Sequence, residues 1–433
     1  MEQTTRKSPP FFYGWVVVLG CMFIQAAAVG ILSNTLSAFI VPCSTDLQVG
    51  RATFTMYTSF GMVSGLVMAP FWGEFFKNRR FKPFMLLGCL LITGCMWCYS
   101  LATSVYHFYI IAAVKGVFQG LLMGVPIPRI LSNWFISRRG FAMGMALAGS
   151  GLAGSIMTPI VTATIGNAGW RAGFRQLTVL FFLITIPVIL LLIKERPSDV
   201  GQKPLGWDTV PTTPTGESAR VSGMTRAQAF RSKTYWCYVI ALFLTQLCGM
   251  GLQNNIIGYL TDVGFDAMYA AKIFSLMMLI LVPGKIVLGS VYDRFGIRIG
   301  TIIITATLSI SALLLAVSVR SPIPLIFAVV FGFGDAIQTM QLPYMTGRLM
   351  GEREYTRIYD VCQPFTSMGS AIGVPLTAAV RDVSGSYVPA FLTIAGLAIV
   401  VMALELAAIR FSKKEVEACD EINDAQPLAV PTP

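Results

Sequence analysis

The chain has 433 residues, 55% of them hydrophobic and only 12% charged, whereas soluble domains carry roughly a quarter charged residues. Folded in water it would expose a large apolar surface, and it lacks the low hydrophobicity and high charge of a disordered chain. Both classes are excluded, and lipid is its natural solvent. The net charge of +11 does not argue for nucleic acid, because in a membrane protein the placement of Lys and Arg matters more than their sum.

In chain order, the first apolar run extends from Phe11 to about Val41. It is too long for the core of a cleavable signal and lacks a clean cleavage site. Spans are predicted over 14–40, 52–76, 83–104, 107–135, 140–166 and 173–194. A polar stretch from Glu195 to Lys233, with Pro197, Pro204, Pro211 and Pro214, reads as a linker. Six more spans follow over 236–262, 268–291, 298–319, 323–348, 356–380 and 388–410. Backbone groups in lipid must be satisfied within a segment, so these runs are helices; barrel strands would be about half as long and alternating. The expected fold is an all-α membrane protein with twelve transmembrane helices in two pseudo-symmetric six-helix bundles. Residues 1–194 form the N-terminal bundle, 195–235 a cytoplasmic linker, 236–411 the C-terminal bundle and 412–433 a cytoplasmic tail. Glycines inside spans, such as Gly149, Gly151 and Gly154, would let helices approach closely. Most of the 9 cysteines lie in apolar runs, without a second pair at zinc spacing, and read as small core residues.

With the N-terminus inside, Arg6, Lys7, Lys77, Arg79, Arg80, Lys82, Arg138, Arg139, Arg294, Arg298, Arg353, Arg357, Lys413, Lys414 and the linker cations fall on the cytoplasmic side. The outer side keeps only Arg51, Arg171, Arg175, Lys272, Arg320 and Arg381. This bias places both termini in the cytoplasm of a multi-pass plasma-membrane protein. The halves echo each other. Gly73-Glu74-Phe-Phe-Lys77-Asn78-Arg79-Arg80 follows the second span, and Gly289-Ser-Val-Tyr-Asp293-Arg294-Phe-Gly296-Ile-Arg298 follows the eighth. Each begins with Gly and continues into a cationic turn. Either alone reads as a topogenic basic loop, but their equivalent places point to a repeat, with Asp293 and Arg294 as candidate gating residues.

The Gly289–Arg298 stretch resembles the signature loop of the major facilitator superfamily. Phe12-Tyr13-Gly14-Trp15-Val16, Trp134-Phe135-Ile-Ser-Arg138-Arg139-Gly140-Phe-Ala142-Met-Gly144, Gly149-Ser-Gly151-Leu-Ala-Gly154, Gly169-Trp170-Arg171 and Glu195-Arg196-Pro197 resemble its oxalate/formate antiporter and monocarboxylate transporter branch. The resemblance covers essentially the whole chain. It implies two bundles that rock about a central substrate site.

Ionisable residues inside the membrane are costly and are functional candidates by default. Lys285, four residues before Gly289, is the first: in the resembling branch its place looks like that of a substrate-binding Arg on helix eight. The alternative is a Lys snorkelling to the cytoplasmic interface. Asp335, inside helix ten, would be neutral or paired, with Lys285 as the expected partner and proton coupling as the expected role; a packing site beside glycines is the alternative. Arg129, after Pro126 and Pro128, is either a second substrate cation or a cytoplasmic-end anchor. Lys115 would line an outer vestibule or pair with a neighbour, and Glu405 would be peripheral, reaching toward Arg410. Neutral candidates are Ser33, Asn34, Gln246, Gln253, Asn254, Asn255, Gln338, Gln341 and Gln363; some of these must be interhelical glue, and the Gln253-Asn254-Asn255 run cannot all face one side. Of the neutral set, Asn34, Gln253, Gln338 and Gln363 are taken as substrate contacts.

The sequence departs from the branch in one respect. The oxalate/formate exchangers carry a Lys mid-way along helix eleven, and that place falls here near Thr366, with no Lys or Arg between Arg357 and Arg381. Two-cation recognition of oxalate is therefore not expected. The single histidine, His107, falls in a predicted outer loop and offers no relay. No phosphate loop, metal motif or catalytic constellation is present, so an enzyme is not expected, nor a cofactor or metal. The reading is a secondary transporter of a carboxylate-bearing organic anion, coupled to protons or to a counter-anion, working as a monomer in the lipid bilayer without nucleic acid. A facilitator-type effluxer of hydrophobic compounds would instead want buried carboxylates in the cavity without needing Lys285. A non-transporting solute sensor would favour a long signalling tail.

Overall fold

The computed structural model describes residues 11–76, 79–124, 126–136, 138–207, 222–318 and 322–425. Helix dominates it. The α-helices are α1 (Gly14–Gln25), α2 (Ile40–Asp46), α3 (Arg51–Phe75), α4 (Lys82–Tyr99), α5 (Val105–Gln119), α6 (Pro126–Trp134), α7 (Arg139–Leu191), α8 (Arg226–Arg231), α9 (Lys233–Asp262), α10 (Ala267–Ala316), α11 (Ile323–Gly334), α12 (Ala336–Met350), α13 (Tyr355–Ser384) and α14 (Val388–Ala425). Among the described residues, eight runs are long and apolar enough to cross a bilayer by length and composition. One of these, Phe141–Leu191, contains two spans joined at Gly169. With α3, the α11–α12 pair and α13, the described residues account for all twelve expected spans.

Two expected loops are absent. α7 and α10 each run through a junction of one non-helical residue, Gly169 (φ 79°, ψ 167°) and Gly296 (φ 77°, ψ 168°). That backbone region is essentially open to glycine alone. Two spans of the first unit are broken internally, as is the tenth span between α11 and α12. Helix one passes through a π turn (Ala26–Ile31) and a 3₁₀ segment (Asn34–Phe39) before restarting as α2. Helix four passes through a π turn (Gly120–Gly124) and restarts at Pro126, a residue with no N–H to continue the ladder.

The chain divides into two compact units. One comprises 1–214 with 265–278, the other 215–264 with 279–433. In the first unit α1 and its π turn pack on α7. A Cβ at Gly149 would lie 2.4 Å from the Met22 carbonyl oxygen, and one at Gly30 2.6 Å from the Ala153 Cβ, so small residues set this helix separation. In the second unit α9 packs against α13 and α14 and buries most of its length. The stretch expected as linker carries a 3₁₀ turn (Pro197–Val200) and α8, and α14 extends the last span to Ala425. His107 lies in the first turn of α5, not in a loop, and its Nδ1 accepts the Thr103 N–H at 3.3 Å.

Candidate functional site

At one end of the first unit, three of the sequence motifs converge. Phe12 packs edge-on against Trp134 and Phe135, and Trp15 against Phe135 and Phe141. Trp134 Nε1 donates to the Lys194 carbonyl at 2.8 Å, and Asn133 donates to that of Glu195 at 3.1 Å. Gln202 closes the cluster: its amide donates to the Phe11 carbonyl at 2.8 Å and accepts the Tyr13 N–H at 2.9 Å. Glu195 accepts the N–H of Lys82 at the start of α4, where a carboxylate complements the helix dipole. The third residue of Gly169-Trp170-Arg171, Arg171, pairs with Asp46 at 2.9 Å, and Trp170 Nε1 donates to the same oxygen at 3.0 Å. These contacts are structural.

Arg129 lies in this first unit. It is half-buried and donates to the Phe76 carbonyl at 3.1 Å, just past the end of α3. Lys115 is half-buried, its Nζ 5.9 Å from the centre of the Tyr99 ring. Asn34 begins the 3₁₀ segment of helix one, and its amide donates to the Ser150 carbonyl at 3.1 Å.

The second unit holds a polar seam. Asp335 sits between α11 and α12, only 5% exposed, and accepts from the Gln338 amide. The Gln338 carbonyl accepts from Gln246 Nε2 at 2.6 Å, and Gln246 Oε1 accepts from Ser370 Oγ at 3.1 Å. Ser370 also donates to the Thr366 carbonyl at 3.0 Å. The seam thus joins the α11–α12 break to α9 and α13. Gly249 makes room for it, since a Cβ there would lie 2.3 Å from the Gln338 amide nitrogen. Gln338 Oε1 is buried without a hydrogen-bond partner. Gln253 is buried, whereas Gln363 is exposed. Asn255 bonds the Gly251 and Val374 carbonyls as interhelical glue, and Asn254 bonds its own helix at Met250.

Lys285 and Asp293 lie on α10, but their side chains are outside the described residues. Arg294 is exposed and lies over the Phe295 ring at 5.6 Å. Glu405 corrects the sequence reading. It is fully buried and accepts from the Gln341 amide, with no contact to Arg410 described. Its second oxygen, Gln341 Oε1, Thr301 Oγ1 and Tyr292 Oη are all buried without partners. Helical spacing carried the signal: Ala398, Val401, Glu405 and Ala408 form one buried stripe on α14.

Outside the spans, Glu354 accepts the Arg226 N–H at the start of α8 at 2.6 Å. That bond, with the nearby Arg357 and Arg353 charges, holds its carboxyl below the usual range. Among the described residues there is no cluster of three or more His, Cys, Asp or Glu able to hold a metal.

Twelve spans, internal helix breaks and a polar seam inside one bundle define a multi-pass carrier. Residues 18–363 match the model of the Major Facilitator Superfamily, and the chain belongs to that superfamily. Monocarboxylate transporter 13 of Rattus norvegicus is 24% identical over 89% of this chain and 87% of its own. Monocarboxylate transporter 12 of the same species is 23% identical over 96% and 90%. The riboflavin transporter MCH5 of Saccharomyces cerevisiae is 23% identical over 86% and 73%. In fold, the chain is similar to the nucleoside transporter NupG (TM-score 0.70, 14% identity, 92% of this chain and 99% of that one). It is also similar to a bacterial homologue of the human lysosomal transporter Spinster (TM-score 0.65, 15% identity, 98% and 100%). The protein is a membrane transporter of a small molecule and not an enzyme.

Proposed function

We propose that this transporter moves an organic anion bearing one carboxylate across the plasma membrane by alternating access, with both termini cytoplasmic. The observation that carries the proton-coupling part of this reading is Asp335, a carboxyl buried at a helix break and tied to three helical segments by neutral amides and a hydroxyl. The named monocarboxylate relatives support the substrate class. Lys285 supplies the positive charge, and the buried Gln338 and Gln253 amides, with Gln363, order the rest of the substrate. Lys binds a carboxylate as a point charge, without the two-pronged geometry of Arg.

In the empty carrier Lys285 and Asp335 neutralise each other, which lowers the cost of burying either alone. An incoming carboxylate competes for Lys285. Asp335 then takes up a proton, and the loaded site is neutral and free to reorient. Asp293 and Arg294 close the cytoplasmic side. The test is transport of labelled monocarboxylates into proteoliposomes with and without a pH gradient. Under proton symport, Asp335→Asn loses gradient-driven accumulation and keeps counterflow. Survival of both activities would show that proton coupling does not run through Asp335.

A further inference from the structure

The first unit carries a cavity that the transport reading does not use. Its volume is about 620 Å³, and Arg79, Arg129, Arg196 and Lys203 line it together with Glu195 and Trp207. It opens where α3 ends and α4 begins. Four cations thus face one carboxylate, and that carboxylate is turned to the α4 backbone. Among the described residues no carboxylate forms an ion pair with any of the four. Such a cavity favours an anion carrying more than one oxygen acceptor, and its volume is that of a small-molecule site.

The surface leading to it argues for the source. Val63, Val67 and Phe71 are 51%, 60% and 64% exposed and recur every fourth residue along α3. They form an apolar stripe on the face a bilayer would cover. The next residue in that spacing is Phe75, and the Arg79 guanidinium lies 4.3 Å from its ring centre. The stripe therefore ends in the cationic cavity, as acyl chains end in a headgroup. Trp207, 53% exposed, adds the aromatic group that prefers this depth. We propose that the cavity binds the phosphate of an anionic phospholipid, whose acyl chains lie along the α3 stripe. Basic pockets at the ends of membrane helices are recognised lipid-headgroup sites.

The experiment is native mass spectrometry of the delipidated protein titrated with phosphatidylglycerol or phosphatidylcholine. Each cation near the membrane surface is worth about fivefold in affinity for an anionic lipid. Arg196 and Lys203 are both exposed, so the Arg196→Gln/Lys203→Gln variant keeps its packing, which thermal unfolding would check. It should bind phosphatidylglycerol about twentyfold more weakly. The matched Lys413→Gln/Lys414→Gln variant, in the other unit, should bind as the parent does, and phosphatidylcholine should bind all three proteins equally weakly. Unchanged phosphatidylglycerol affinity in the first variant, or an equal loss in the second, would overturn the proposal. A third arm adds inorganic phosphate. If millimolar phosphate displaces the lipid from the parent but not from the Arg196→Gln/Lys203→Gln variant, the ligand is a free phosphate and the lipid assignment falls.

Discussion

The two units spend their charges differently. In the first, most described charged contacts lie at helix ends and go to backbone or to surface pairs: Glu195 on the Lys82 N–H, Lys82 on the Leu190 carbonyl, Arg129 on the Phe76 carbonyl and Asp46 on Arg171. Lys115, over Tyr99, is the exception. The second unit also has end contacts, including Asp262 with Arg381 at 3.0 Å, but it buries Asp335 at the α11–α12 break and Glu405 inside α14, each within a span and held by a glutamine amide. A charge at a helix end has spare backbone groups to satisfy. A carboxyl inside a span does not, and its burial is costly. The first unit's end charges are thus met by backbone and surface partners, and the second unit's buried carboxyls by side-chain amides.

Substitutions at four positions break or sharpen that division. The largest effect is expected for Lys285→Gln, which should weaken apparent substrate affinity about tenfold to a hundredfold, the size of a lost charge-assisted contact. Arg129→Gln should instead lower the unfolding temperature in detergent while leaving affinity within about twofold, since a hydrogen bond is worth about 1 kcal/mol. The reverse pattern in an uptake titration would move the binding charge to the first unit. Next comes Glu405. Glu405→Gln preserves the shape and should leave thermal stability nearly unchanged. Glu405→Ala strands the Gln341 amide and should cost about 1–3 kcal/mol. Equal losses in the two variants would show that the ionised carboxylate is required there. The smallest effect concerns Glu354. Its folded-state carboxyl titrates below its unfolded value of 4.5. The contact with α8 is therefore fully stabilising above that value and is lost as pH falls through the folded-state one. Limited proteolysis around Arg226 should accelerate only in that acidic window, and Glu354→Gln should remove the dependence.

Much of this was legible in the sequence. Most of the twelve spans follow from apolar length, and the motif residues Phe12, Trp134 and Glu195 meet in one cluster. Asp335 and Gln338 could be paired from their i, i+3 spacing. The breaks in helices one and four were not legible, because Ala26–Ile31 and Gly120–Gly124 are as apolar as their neighbours and only packing against another helix distinguishes them. Ser370 was not legible as part of the seam, because a short hydroxyl carries no signal of its own, although it lies one turn from Thr366, the place where exchangers of the resembling branch carry a Lys. Glu405 was misread because Arg410 is close in sequence, whereas helical spacing places it on the buried stripe of α14.

The one-residue junctions at Gly169 and Gly296 leave no slack between successive spans. An α-helix advances about 1.5 Å and turns about 100° per residue. A single inserted residue beside either glycine would turn the whole following span by roughly a quarter of a revolution and present lipid with a face built for protein. The same two positions are therefore the places in the chain where its length is least negotiable. Fusion tags and epitope insertions aimed at these turns should abolish membrane assembly even when the inserted residues are small and polar.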